Sequence, residues 1–249
     1  MILLLIFLFV SPLFNFDLLL SDYFGVKNLI FSEDETKIVS SADWLLDYDI
    51  SSWSAGVYSS FGRYKLYPYV SNLKSEDYYS ETIVSLNNSF KLYEAEKFSL
   101  YGMLIPRLIV RSYGKLAEIG DPAFAKGLSK VTVDAGVLVK YSPIVCFFYS
   151  TNINRPNLGV LSESLLQPET GCGFSYTWRF LTLGVEVNSA SYSSFLIFNY
   201  PSFFQLYLAK SKEMYSYGLG LKIKNVFFGF RNFVYEFSLK PQVFLEYNL

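Results

Sequence analysis

The stretch that decides the reading is the last one, Tyr235–Leu249, YEFSLKPQVFLEYNL. Its odd positions are Tyr235, Phe237, Leu239, Pro241, Val243, Leu245, Tyr247 and Leu249, and its even positions are Glu236, Ser238, Lys240, Gln242, Phe244, Glu246 and Asn248. Only Phe244 breaks the polar set. Successive side chains of a strand point to opposite faces, so such a segment sets one face in an apolar medium and the other in water. Strands of soluble domains run to ~5–6 residues, whereas ~9–11 tilted residues cross the hydrocarbon of a bilayer. An amphipathic segment of this length predicts the closing strand of a transmembrane β-barrel.

The same period of two recurs upstream. Val131, Val133, Ala135, Val137, Val139 and Tyr141 oppose Lys130, Thr132, Asp134, Gly136 and Lys140. Cys172, Phe174, Tyr176, Trp178 and Phe180 oppose Gly173, Ser175, Thr177 and Arg179. The phase then flips, with Leu181, Leu183, Val185 and Val187 apolar against Thr182, Gly184, Glu186 and Asn188, as a tight hairpin or a bulge produces. The expectation is an all-β chain in which residues 51–249 form an antiparallel transmembrane β-barrel of roughly 10–14 strands. Charged groups facing lipid cost ~2–4 kcal/mol each near the midplane. The charges on the polar faces, Asp134, Arg179, Glu186, Lys222, Lys240 and Glu246, are therefore expected in the lumen, pairing with one another or lining a path for a solute.

Turn-forming residues mark longer interruptions at Lys65–Glu81, Lys115–Ser129, Asn152–Gly171 and Ser189–Ser202, and short ones at Glu94–Lys97, Lys224–Asn225 and Arg231–Asn232. Alternating long and short connectors fit a barrel with long loops outside the cell and short turns in the periplasm. Met1–Val10, MILLLIFLFV, reads as the apolar part of a signal peptide, or as a signal anchor continuing to Leu20, so residues 1–20 predict export. Residues 21–50 are the most polar and least regular part. Their acidic run, from Glu33 to Asp49, has the spacing of no calcium loop, and no metal is expected there.

Composition agrees with a membrane barrel. The chain has 21 Tyr, 24 Phe and 3 Trp, and charged residues make up 17%, below the ~25% of an average globular protein. Tyrosine has an apolar body and a polar tip, which suits a water–lipid boundary. A net charge of −1 with no basic run argues against nucleic acid as a partner. With no His at all, the usual general base, the usual transition-metal ligand and every His-dependent triad are missing, so neither an enzyme nor a cofactor is expected. Cys146 and Cys172 are too few for a disulfide framework, and they read as small buried hydrophobes, with a mutual bridge as the alternative.

Three segments carry a family resemblance: Gly120-Asp121-Pro122-Ala123-Phe124, then Val133-Asp134-Ala135-Gly136-Val137-Leu138, then Asn152-Ile153-Asn154-Arg155-Pro156-Asn157-Leu158-Gly159. Together, over Gly120–Val160, they resemble the FadL-like outer-membrane barrels of the PorV/PorQ type. That resemblance implies the cell outer membrane as location, with transport of hydrophobic compounds or a membrane role in a secretion system as function. It also implies outer-membrane lipid, the barrel-assembly machinery and secretion-system proteins as partners. The competing reading is a secreted or periplasmic all-β binding or structural protein, whose alternation buries one face in a sandwich core.

Overall fold

The computed structural model describes residues 36–45, 50–76, 78–115, 127–158, 165–189, 192–200, 203–211, 214–235 and 239–249. They form fourteen strands: β1 Lys37–Leu45, β2 Ile50–Phe61, β3 Tyr64–Ser75, β4 Tyr79–Ala95, β5 Phe98–Ser112, β6 Leu128–Tyr141 and β7 Ile144–Thr151. The second half follows as β8 Glu169–Trp178, β9 Leu181–Asn188, β10 Tyr192–Tyr200, β11 Phe204–Ser211, β12 Met214–Ile223, β13 Val226–Tyr235 and β14 Leu239–Asn248. Each strand pairs antiparallel with its neighbours in sequence, and β1 pairs with β14, so the sheet closes into a barrel. The all-β transmembrane barrel expected from alternation is what the chain forms, at the top of the expected strand count. The expected leader, residues 1–20, lies outside the described residues, as does the Gly120–Phe124 motif.

Closure joins residues from the two ends of the chain, from Lys37 opposite Asn248 to Asp43 opposite Gln242. The closing segment is shorter than its alternation suggested. Tyr235 belongs to β13, where it pairs with Met214 and packs on the inner cluster of Phe195, Tyr207 and Phe233. In β13 the odd residues Arg231 and Phe233 are buried, whereas in β14 it is the even residues Lys240 and Gln242 that are buried and Val243, Leu245 and Tyr247 that are exposed. One apolar parity thus runs through a hairpin that exchanges the two faces.

Four further expectations change. Residues 37–45, placed in the irregular N-terminal segment, are β1; Ser40, Ser41 and Asp43 made it look polar, but Ser41 and Asp43 are buried on its inner face. Lys65–Glu81 is mostly β3 and the start of β4, and Pro68 sits within β3 on its outer side opposite Leu86. Proline removes one N–H, and the β2–β3 ladder accordingly skips from Gly56–Tyr69 to Ser59–Leu66. Ser189–Ser202 is mainly β10, whose serines hid the inner Phe195. Arg231–Asn232 is no turn, since both lie mid-strand in β13, opposite Gly218 and Tyr217.

The two ends of the barrel differ. The end that holds both seam termini is joined by tight turns at Gly62–Arg63, Glu96–Lys97, Ser142–Pro143, Arg179–Phe180 and Lys224–Asn225. Gly62, Arg179 and Lys224 have φ of 61°, 52° and 53°, the left-handed values that two-residue hairpin turns require. The strand ends that connectors 113–127 and 152–168 join, Ser112 to Leu128 and Thr151 to Glu169, lie at the opposite end. On the outer face, Phe61, Tyr64, Tyr141, Trp178 and Tyr200 crown the tight-turn end, while Trp44, Trp53, Tyr192 and Tyr215 crown the other. Between the two crowns lies an exposed aliphatic and Phe band that includes Leu86, Leu104, Val137, Phe148, Val185, Leu219 and Val243. Aromatic girdles flanking an apolar band are the outer surface of a transmembrane barrel. Even outward Asn88 satisfies its amide locally, donating to the carbonyl of Leu86 at 2.8 Å.

Cys146 and Cys172 are free, one half-buried and the other exposed; they lie on the outward faces of their strands, alternating with inward residues such as Phe147 and Gly173, so neither expectation for them holds. They escape the interior because a residue's face is set by its place in the pleat rather than by its polarity.

Deleting Tyr247–Leu249 removes the Lys37–Asn248 and Ile38–Tyr247 rungs of the seam and the Val226–Tyr247 rung beside it. The truncated chain should fail to close, which would show as loss of heat-modifiable migration in detergent gels. In a background lacking the native cysteines, cysteine at Leu219 should react with a lipid-soluble maleimide in vesicles, and cysteine at buried Ser216 should not. A reversed pattern would invert the faces.

Candidate functional site

The inner wall of the barrel is where chemistry concentrates, because its side chains are enclosed while the outer face is apolar. Large rings fill much of it. Tyr58, Tyr67 and Tyr69 form one cluster on β2 and β3. Tyr101, Met103, Ile105, Leu138, Val145, Phe147 and Tyr149 form a second on β5–β7, and Phe195, Tyr207, Ala209, Met214 and Phe233 form a third on β10–β13. These rings fit because inward glycines on neighbouring strands leave room: Tyr149 lies against Gly171, Phe147 against Gly173, Phe195 against Gly184 and Phe244 against Gly229. A Cβ at any of those glycines would strike the ring. Phe244, the residue that broke the polar parity of the last segment, is therefore an inner-wall ring.

Between the rings run ion pairs that bridge adjacent strands. Arg107 of β5 approaches the carboxylate of Asp134 on β6 at 2.7 Å, and both are buried. The same Arg107 donates to Asn152 Oδ1 at 3.2 Å, and Thr132 donates to that oxygen at 3.0 Å. The backbone N–H of Asn152 donates to Asp134 Oδ1 at 2.7 Å. Asn152 opens the β7–β8 connector at φ 51°, so the network pins the root of that connector to the barrel wall. At the seam, Lys240 of β14 reaches Asp43 of β1 at 3.0 Å, and Ser52 of β2 donates to the same Asp43 Oδ1 at 2.6 Å. Lys37 pairs with Glu246 at 2.8 Å, near the tight-turn end. Tyr149 donates to Glu186 at 2.6 Å. Arg231 is enclosed between the rings of Tyr207 and Phe244, at 4.3 and 4.8 Å from their centroids, where a cation is attracted to the ring faces.

Of the six charges singled out from sequence, Asp134, Glu186 and Lys240 lie buried on the inner wall and Glu246 half-buried there. They are not brought together; each is held by a separate partner. Lys222 has inward parity but is exposed beside the Lys224–Asn225 turn. Arg179 is a correction: it is an exposed residue of the β8–β9 turn with its guanidinium 5.5 Å from the Trp178 ring, since the hairpin reverses one residue before the alternation seemed to end.

Several inner residues carried weak signals or none. Arg107 and Arg111 sit two turns of the pleat apart in an otherwise apolar run, a period-2 signal that was there to read. Asp43 lay in a segment read as irregular, and Arg231 in one read as a turn. Ser85, Asn87 and Ser89 of β4 are buried as well, Asn87 completely, with no hydrogen-bond partner for either end of its amide or for either serine hydroxyl. A buried unsatisfied polar group costs about 1–3 kcal/mol, so this inward stripe is a costly part of the wall. Among the described residues no cluster of His, Cys, Asp or Glu could hold a metal ion, and no helix is long and apolar enough to cross a membrane.

No protein-family model matches the chain, and no curated protein matches its sequence. Solved structures do match in fold. The toluene transporter TbuX of Ralstonia pickettii superposes with a TM-score of 0.60 at 9% identity, covering 90% of this chain and 92% of that one. The toluene transporter TodX of Pseudomonas putida gives 0.59 at 7% identity, covering 96% and 95%. At identities this low the likeness shows a shared barrel fold.

Replacing Arg107 by Ala should cost about 3–5 kcal/mol, because it leaves the Asp134 carboxylate enclosed without its cation. Replacing Lys91, whose partner Glu94 is largely exposed, should cost about 0–1 kcal/mol. Urea unfolding of the vesicle-inserted barrel, followed by tryptophan fluorescence, measures both. Equal shifts would mean that the Arg107 network is not sequestered.

Proposed function

We propose that this protein is an outer-membrane barrel that passes small hydrophobic molecules across that membrane. One observation carries the reading: a closed fourteen-strand barrel, alike over nearly its whole length to two toluene transporters, whose inner wall carries three clusters of aromatic and aliphatic side chains between its ion pairs. Apolar solutes cross the bilayer core readily but meet a polar barrier at its surface, and a ring-lined interior offers them a medium in which they lose little on leaving lipid. The tight-turn end, which holds both seam termini, then faces the periplasm, and connectors 113–127 and 152–168 face outward, following the asymmetry of such barrels.

A second reading rests on the resemblance to PorV/PorQ-type barrels. The Asp of its strand motif, Asp134, and the first Asn of its turn motif, Asn152, are hydrogen-bonded to each other here, so the two motif elements act as one structural unit. This supports a membrane component of a secretion apparatus.

Radiolabelled toluene should enter proteoliposomes containing the barrel faster than protein-free liposomes, and the protein should fractionate with the outer membrane. Uptake equal to that of empty liposomes would remove the transport reading. Loss of secreted proteins from the medium on deletion, with toluene entry unchanged, would favour the second.

A further inference from the structure

We propose that the tight-turn end of the barrel is a docking surface for the headgroups of anionic phospholipids. The inference rests on the outer-membrane reading, with this end toward the periplasm, and adds a lipid class to it. Four turns at this end carry a basic residue: Arg63 between β2 and β3, Lys97 between β4 and β5, Arg179 between β8 and β9, and Lys224 between β12 and β13. All four are exposed, and Lys222, exposed beside the last of these turns, adds a fifth cation. Among the described residues none of the five takes part in an ion pair. The acids described at the same end are mostly engaged. Glu94 is held by Lys91 and Glu246 by Lys37, each at 2.8 Å, which leaves exposed Glu96 to face the five cations. Glu33, Asp34 and Glu35 precede this end in sequence and lie outside the described residues.

These cations stand at the depth of a lipid phosphate. Headgroups lie just beyond the hydrocarbon, at the level that interfacial aromatic rings mark. Arg63 sits in the turn between Phe61 and Tyr64, whose side chains are 65% and 67% exposed on the outer face. Arg179 stands between exposed Trp178 and Phe180, with its guanidinium 5.5 Å from the Trp178 ring, so it is held at the girdle. The rings of Tyr93 and Phe98, 5.9 Å apart, flank the turn of Lys97. A turn cation therefore follows the girdle with almost no chain between them. The apolar band above the girdle takes the acyl chains, and the cation beside it meets the phosphate, which a guanidinium can hold through two parallel hydrogen bonds. A zwitterionic headgroup brings an ammonium that these cations repel, whereas an anionic headgroup brings none. The charge complementarity therefore selects the anionic class.

The test is spin-label electron resonance on the full-length barrel in phosphatidylcholine vesicles. They carry a trace of labelled phosphatidylglycerol or labelled phosphatidylcholine, and the signal reads the lipid immobilised at the protein surface. The wild type should hold phosphatidylglycerol roughly fivefold more strongly than phosphatidylcholine, the attraction of about one cation near an anionic headgroup. That preference should shrink as salt rises. The rim variant Arg63→Gln, Lys97→Gln, Arg179→Gln and Lys224→Gln should bring the two lipids within about twofold of each other. Removing as many cations from the other end, with Lys74→Gln, Lys115→Gln, Arg155→Gln and Lys210→Gln, should leave the preference unchanged. If the rim variant fails heat-modifiable migration, Arg179→Gln with Lys224→Gln carries the comparison and should narrow the gap in the same direction. Equal retention of the two lipids by the wild type, a preference that survives the rim substitutions, or one lost equally in the control variant overturns the docking surface and leaves the barrel reading standing. Stronger displacement of labelled phosphatidylglycerol by lipid A than by unlabelled phosphatidylglycerol overturns phospholipid as the occupant. Failure of the wild type to insert into either kind of vesicle overturns the surface and the membrane reading together.

Discussion

The rest of the structure depends on the seam between β1 and β14. In hydrocarbon there is no water to satisfy a backbone N–H or C=O, so a sheet that spans a membrane must have no edge. Closure from Lys37–Asn248 to Asp43–Gln242 removes the two edges that fourteen hairpin-linked strands would otherwise expose. An even number of antiparallel strands brings both ends of the sheet to one rim. It follows that every second connector lies at that rim, where tight turns suffice, and the long connectors collect at the other. Closure also gives each strand an inside and an outside, and this turns a period-2 sequence into a lipid-facing band and an enclosed wall.

What fills the wall follows from the same constraint. Polar side chains excluded from the outer face must be taken inside, and there they lose water unless something replaces it. The barrel answers mainly with cross-strand pairs: Arg107 with Asp134, Lys240 with Asp43, and Tyr149 with Glu186. Breaking a buried pair is costly even where forming it gains little. The remaining inner surface is taken by rings laid against glycines one strand away. Rings, pairs and glycines are therefore one packing solution, and the β4 stripe of Ser85, Asn87 and Ser89 is one of the places where the described wall leaves hydrogen-bonding capacity unused.

Strands were legible wherever aliphatic or aromatic residues alternated with small polar ones, as in Val131–Tyr141 and Tyr215–Ile223. They were obscured where outward positions carried serine or proline, as in β1 and β3, because a side chain's face depends on the pleat while its polarity does not have to follow. The hairpin at Lys224–Asn225 could be read from turn residues, yet Arg231–Asn232, equally polar, is mid-strand. There the inner wall accepts a guanidinium because Tyr207 and Phe244 close over it, and both rings belong to other strands.

Alternation and aromatic content were enough to read an antiparallel barrel from the sequence, and the buried positions of Asp134, Glu186 and Lys240 agree with each residue's parity within its own strand. Partners were beyond that reach. Lys37 meets Glu246 across 209 positions of sequence, and Gln242 meets Asp43 across 199. Which residues pair around the wall is set by register, and register is decided only when all fourteen strands close together. The unmet amide of Asn87 is invisible in the sequence for the same reason: whether a polar group is satisfied depends on what the neighbouring strands bring to it.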